Sequence, residues 1–217
     1  MDNKAKDILT IEQDEKQLSE RSMEIDTKNQ ALEMREIVSA LKATIRKNNL
    51  SYLSAPSIGY QRRIFAINFN DLEIKTFINP VIASATGLHL AKETSNVIPG
   101  KTFIRPRNTE VSVMYQRPTG QPESRKLVGL AADVFQQCMD DIDGILLVDI
   151  GLEIDDNWDK LSEQEQQEII TAYLDSLDLR QKELQQEIQD DTELKQISDA
   201  IDFMTSVYKG ETKIEMK

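Results

Sequence analysis

The segment from Leu130 to Asp149 constrains the fold of this 217-residue chain more than any other. Its apolar residues follow a helical period as far as Ile142. Gly144 then stands where a helix can end in a left-handed cap, a conformation that glycine adopts without a Cβ penalty. Within this helix Gln137 and Asp141 lie four residues apart, so they share one face, and Cys138 lies beside Gln137. The stretch before it has a different period. Alternating apolar residues predict strands at 62–69, 75–82, 111–115 and 125–128, with turns at Asn70-Asp71 and Pro118-Thr119-Gly120. Pro99-Gly100 and Arg105-Pro106-Arg107 mark an irregular loop. Upstream, Met34, Val38, Leu41 and Ile45 form one apolar stripe of a helix over 27–48.

The ends of the chain have another character. Residues 1–26 are polar, with scattered Ile8, Leu9 and Ile11, and read as an arm that orders against something else. Residues 27–150 form the main domain and 151–217 an acidic helical extension. Of the net charge of −12, residues 153–200 carry −11, from fifteen acidic and four basic side chains. That density opposes direct contact with a nucleic-acid backbone and leaves two readings, a solvated helical face or a docking surface for a basic partner. Ser162 and Glu165 have the spacing of a capping box. After it, Ile170, Leu174, Leu177, Leu184 and Ile188 fall at heptad spacing, and Leu194, Ile197, Ile201 and Met204 form a second stripe. Two helices are expected there, packed on their own domain or forming a subunit interface through Leu174, Leu177, Leu184, Ile188, Ile197 and Ile201. No apolar run reaches the roughly 20 residues of a membrane span, and the polar N-terminus does not read as a secretory signal. A single cysteine excludes an internal disulfide and suggests a reducing compartment. A single histidine, His89, excludes a site with two or three histidine ligands from one chain.

Three segments in order resemble the motifs of the peptide deformylase family. Leu50 to Ser57 aligns with the first motif, G-x-G-L-A-A-x-Q, and Ile78-Asn79-Pro80 matches the I-N-P that follows. Glu93 to Gly100 aligns with E-G-C-L-S-[VI]-P-G, continued by Arg105-Pro106-Arg107. Gln136 to Gly144 aligns with Q-H-E-x-D-H-L-x-G, and the tail continues to Leu146 and Asp149. The resemblance covers roughly residues 27–150. It implies an α+β fold of antiparallel sheets around a central helix, which agrees with the periods above, here with a C-terminal two-helix extension. It also implies where a metal site and its catalytic groups would fall. The cysteine ligand falls on Ser95, the two histidine ligands on Gln137 and Asp141, the catalytic glutamate on Cys138, and the oxyanion-holding glutamine on Ser57. Tyr52 takes the place of a glycine beside the substrate cleft, and Asp140 stands where it could pair with Arg62 or Arg63.

A hydroxyl, a carboxamide and one carboxylate are poor donors for a transition metal, which prefers imidazole or thiolate. On this ground the sequence leads to a degenerate member with no metal, no cofactor and no catalytic residues. The expected role is a structural subunit in a homo- or hetero-oligomeric assembly, in a bacteriophage virion (tail, neck or baseplate), cytoplasmic during synthesis. The alternative is a peptide-binding protein or a weakly active deformylase-type hydrolase. In that reading a hard cation held by Asp140, Asp141 and Glu93 is awkward, because adjacent helical residues point about 100° apart.

Overall fold

The computed structural model describes residues 4–69, 73–187, 197–199 and 201–202. They fall into two compact units, and the chain passes between them more than once. Unit 1 comprises residues up to Thr86 together with Asn108–Gly144, and unit 2 comprises Gly87–Arg107 with the chain from Ile145 onward. This division does not follow the linear order of arm, domain and extension.

Unit 1 contains helices α1 (Ile11–Ser19) and α2 (Ala31–Asn48), strands β1 (Tyr52–Ser54), β2 (Ile64–Asn68) and β3 (Ile74–Thr86). Unit 2 then contributes β4 (His89–Ser95) and β5 (Ile98–Arg107), and unit 1 resumes with β6 (Glu110–Gln116), β7 (Pro122–Val128) and helix α3 (Leu130–Asp143). The five strands of unit 1 form one antiparallel sheet in the order β1-β2-β3-β6-β7. The alternating stretches therefore do form strands, and the α+β class with antiparallel sheets holds. The turn expected at Asn70-Asp71 lies outside the described residues.

Two apolar clusters fill unit 1. One gathers the stripe of α2, including Met34, Ile37, Leu41 and Ile45, against Leu53, Ile64 and Ile78. The other is aromatic. Phe135 of α3 packs edge-on against Phe65 at 5.1 Å and Phe77 at 5.2 Å between ring centroids, while Phe77 lies 4.6 Å from Tyr115. Edge-to-face packing of this kind adds to the burial of each ring. Phe135 thus fixes α3 onto the sheet.

The first residues are part of this unit. Leu18 and Ile25 are buried, the Lys6 amide donates to Thr44 Oγ1 at 2.9 Å, and the Ser22 amide donates to the Ile142 carbonyl at 2.9 Å. The I-N-P match explains part of this docking. Asn79 adopts a left-handed φ of 47°, its Oδ1 accepts the Ile25 amide at 3.0 Å, and its Nδ2 donates to the Ile25 carbonyl at 2.9 Å. A short amide side chain tolerates that backbone region and here satisfies both polar groups of a buried residue. Gly144 caps α3 at φ 75°, as its position in the sequence predicts. A Cβ there would collide with the Ser19 carbonyl, so the first segment passes directly against the cap.

A charged network lines one groove of unit 1. Glu123 accepts from Lys75 Nζ at 2.8 Å and also from Arg117. The Arg117 guanidinium, then Lys75 and the Tyr115 hydroxyl, hold its carboxyl down at about 2, well below the usual carboxylate range. A depressed folded-state pKa contributes stability that is present above the unfolded value and disappears as pH falls through the folded value. Glu123→Gln is therefore expected to lower stability at pH 7. The gap to the native protein should narrow from about pH 4.5 downward and close near pH 2, as read by urea unfolding at stepped pH. A gap unchanged across that window would show that the carboxylate charge does not matter.

Unit 2 holds a three-stranded antiparallel sheet, β4-β5-β8, with β8 at Leu152–Ile154. The stretch read as an irregular loop around Pro99-Gly100 and Arg105-Pro106-Arg107 is strand β5. Its prolines mislead because β8 pairs only with Thr102–Ile104, so on that side the rest of β5 is an edge, where proline is tolerated. A short helix, α4 (Leu147–Ile150), precedes β8, and α5 (Glu163–Glu187) follows it. The capping box forms, with the Glu165 amide donating to Ser162 Oγ at 3.3 Å and the Ser162 amide to Glu165 Oε2 at 2.8 Å. Leu174 packs with Ile104, Leu152, Trp158 and Ile170, and Leu177 and Ile201 pack with Ile150, with Ile197 beside them. Ile188, Leu194, Met204 and the Leu184 side chain lie outside the described residues. No described helix is long and apolar enough to cross a membrane.

Candidate functional site

Helix α3 carries three of the positions that the family resemblance singles out. Its N-terminal residue follows Gly129, whose φ of 59° turns the chain out of β7. Gln136 anchors the next turn, since its Nε2 donates to the Asn108 carbonyl at 2.9 Å and its Oε1 accepts the Asn108 amide at 3.0 Å. This clamp fixes the rotation of α3 about its own axis, and with it the direction of the residues that follow.

Gln137 is buried and Asp141, one turn later, is half-buried. Cys138 is fully buried, among Phe135, Ile142 and the aromatic side chains of β2 and β3. A thiol packed there acts as a small apolar filler. Tyr52 belongs to the same cluster. Ser57 sits in a 3-10 turn, Pro56–Ile58, that packs against α3, as β1 does. Its hydroxyl lies 2.6 Å from that of Ser54, and its carbonyl accepts the Leu9 amide at 2.9 Å. Unit 1 thus brings Ser57, Gln137, Cys138 and Asp141 onto or beside one helix, with Gln137 and Asp141 on one face.

Ser95 lies in unit 2, at the end of β4, where its hydroxyl accepts the Val97 amide at 3.3 Å across the turn into β5. Two strand residues below it, Glu93 forms a bidentate ion pair with Arg107, with Nε to Oε1 at 2.5 Å and Nη2 to Oε2 at 2.8 Å. The exposure of these two side chains is 3% and 4%. Both residues stand at motif-matching positions, but the sequence alone does not reveal that they bond. Asp140 was expected to pair with Arg62 or Arg63. Instead Arg63 pairs with Asp143 in the last turn of α3, and Arg62 bonds Glu33 of α2 at 2.6 Å.

The family resemblance implies a metal, and the residues present do not fit one of the transition type. The aligned donors are the Ser95 hydroxyl, the Gln137 carboxamide and the Asp141 carboxylate, which offer neither imidazole nor thiolate. The hydroxyl of Ser95 is already engaged by a backbone amide. Among the described residues no three histidine, cysteine, aspartate or glutamate side chains are grouped to hold an ion.

Comparison with known proteins gives a consistent assignment. The family model described as polypeptide deformylase matches residues 5–155. A relative from Nostoc sp., named peptide deformylase 2, is 24% identical over 148 residues, covering 64% of this chain and 81% of its own. The peptide deformylase of Thermomicrobium roseum is 33% identical over 125 residues, covering 54% of this chain and 71% of its own. A crystal structure of a class I type b peptide deformylase from Acinetobacter baumannii bound to Met-Ala-Ser superposes with a TM-score of 0.61 at 19% identity, covering 66% of this chain and 97% of that one. These matches correct the expectation of a non-enzymatic structural subunit in a phage virion, since the matching family and relatives bear the name of an enzyme. The expectations of a bacteriophage virion and of a chain outside enzyme function fall with it. Replaced ligands weigh against one metal cage, and they do not turn an enzyme family into an assembly protein. With a family match over residues 5–155 and a relative at 33% identity, the chain belongs to the peptide deformylase family.

Proposed function

We propose that this chain is a deformylase-type hydrolase of low activity, which removes a formyl group from the N-terminus of a peptide. The observation that carries this reading is the family match running through all three motif segments. The side chains that hold the frame also keep a structural task, namely Asn79, Glu93 with Arg107, Gln136 and Gly144. The relatives' name supplies the reaction class, and the Met-Ala-Ser bound to the Acinetobacter baumannii enzyme, a peptide as it stands after its formyl group has left, supplies the peptide class.

The residues of α3 set what chemistry is available. Asp141 is the one carboxylate among the positions aligned with the metal ligands and the catalytic glutamate, and it is half-buried rather than sealed in the core. Its carboxylate takes a proton from water, and the resulting hydroxide oxygen bonds to the formyl carbon. The carbon–nitrogen bond then breaks, the proton passes to the departing amine, and formate leaves. The amide of Gln137, on the same face, donates to the carbonyl oxygen as charge develops on it. Cys138 takes no part, because its thiol is packed in the apolar core. A carboxylate base without a strong Lewis acid beside it gives slow turnover, which is why the activity is low.

The test is formate release from formyl-Met-Ala-Ser by the purified full chain. Saturable release above the uncatalysed rate is expected, falling about 100-fold or more in Asp141→Asn, the range that a positioned general base supplies. Release at the uncatalysed rate, or a rate that Asp141→Asn leaves unchanged, would refute the assignment of this chemistry.

A further inference from the structure

Unit 2 contains a groove of about 560 Å³ lined by none of the motif-aligned residues. Its lining is mainly apolar, with Ile154, Trp158, Leu161 and Ile169, and its polar lining residues are Asn157, Glu153 and Asp155. A volume of this order accepts one or two large side chains. Ile169 is 40% exposed in the wall of the groove. Trp158 is anchored behind it, with its ring in the cluster of Ile104, Leu152 and Ile170 and its carbonyl accepting from Gln166 at 2.9 Å. The groove is therefore held open by the core of unit 2.

Its charge indicates what would enter. Residues 153–169 contain seven acidic side chains and one lysine. Lys101 and Lys92 pair with Glu153 and Asp159 of this segment. Of the residues that line the groove, Glu153 and Asp155 are acidic and none is basic. An apolar slot set in a negative field selects against anionic partners and attracts cationic ones. We propose that this groove binds a basic peptide segment of a protein partner, in which a large apolar side chain flanked by lysine or arginine seats against Trp158. The inference is independent of the hydrolytic reading.

Trp158 is the only tryptophan of the chain, so its emission reports directly on the groove. The probe is the synthetic peptide acetyl-Lys-Lys-Leu-Leu-Lys-Lys-amide, titrated into the full-length protein at low salt. A saturable shift in the wavelength or intensity of tryptophan emission is expected, weakening as salt rises. The corresponding peptide with glycines in place of leucines should give no shift. Ile169→Arg, which lays a cationic chain across the wall, should weaken binding at least tenfold with unchanged thermal unfolding. Glu153→Lys, at an exposed lining position, should weaken it severalfold, and it serves as the second variant if Ile169→Arg does not fold. The proposal is overturned by no saturable shift, by an equal shift with the glycine peptide, or by equal affinity in the variants. It is also overturned if sedimentation shows that the native protein is a dimer that Ile169→Arg separates, because the occupant would then be a second copy of this chain.

Discussion

Arg107→Met is expected to destabilise the protein by about 3–5 kcal/mol, measured by urea unfolding at pH 7. The Glu93 carboxylate and the Arg107 guanidinium are almost fully enclosed and meet in a two-bond fork between adjacent strands. The attraction of such a pair goes largely to offset the loss of water around both ions, so the pair itself contributes little net stability. Removing one member is a different matter, because it leaves the other charge buried without its counter-ion. The double variant Glu93→Met with Arg107→Met tests this directly. It should recover most of the loss and come within about 1–2 kcal/mol of the native protein, since apolar replacements of buried ion pairs are often neutral or better. If the double variant is as unstable as the single one, the pair is needed for its shape and not for its charge balance. Those two outcomes separate an electrostatic role from a packing role for the strand that ends at Ser95.

The second large effect lies at Phe135. Truncation to alanine removes a ring that makes edge contacts with both Phe65 and Phe77 in a fully buried cluster. The expected cost is about 3–5 kcal/mol, combining the lost burial with the cavity that remains. Because this ring holds α3 on the sheet, Phe135→Ala should also move the face that bears Gln137 and Asp141. Formate release should then fall more than the folded fraction does. Phe135→Leu, which retains most of the volume, should restore a large part of both properties. Equal stability in Phe135→Ala and the native chain would mean that α3 is positioned by its backbone contacts alone, with the Gln136 clamp on Asn108 as the leading one.

Much of unit 1 was legible in the sequence because its elements carry clean periods. The stripe Met34, Val38, Leu41 and Ile45 became α2, the alternating residues around Phe65 and Phe77 became β2 and β3, and the glycine at 144 became the cap of α3. Strand β5 was not legible, since its turn-forming prolines and Gly100 lie in a strand whose outer edge is mostly unpaired. The division into units was hidden for a different reason. Each unit draws on separated stretches of chain, and long-range strand pairing leaves no local mark. The first residues read as an arm that orders against something else, and what it orders against was not legible, because Asn79, far along the chain, supplies the hydrogen bonds that hold Ile25. At the candidate site the aligned positions were legible one by one. What they do was not. The ion pair of Arg63 with Asp143 and the fork of Glu93 with Arg107 depend on partners on other elements of the fold. The step from lost ligands to lost function was the larger error, because a poor donor set speaks to one metal and the family match speaks to the reaction.

Metal content and formate release, measured on the same purified sample before and after dialysis against EDTA, test the account most directly. A deformylase frame whose aligned donors are Ser95, Gln137 and Asp141 should carry well under one transition-metal ion per chain and release formate slowly, at a rate the chelator leaves unchanged. One zinc or iron ion per chain, removed by EDTA together with the activity and restored with it, would contradict the reading of this donor set.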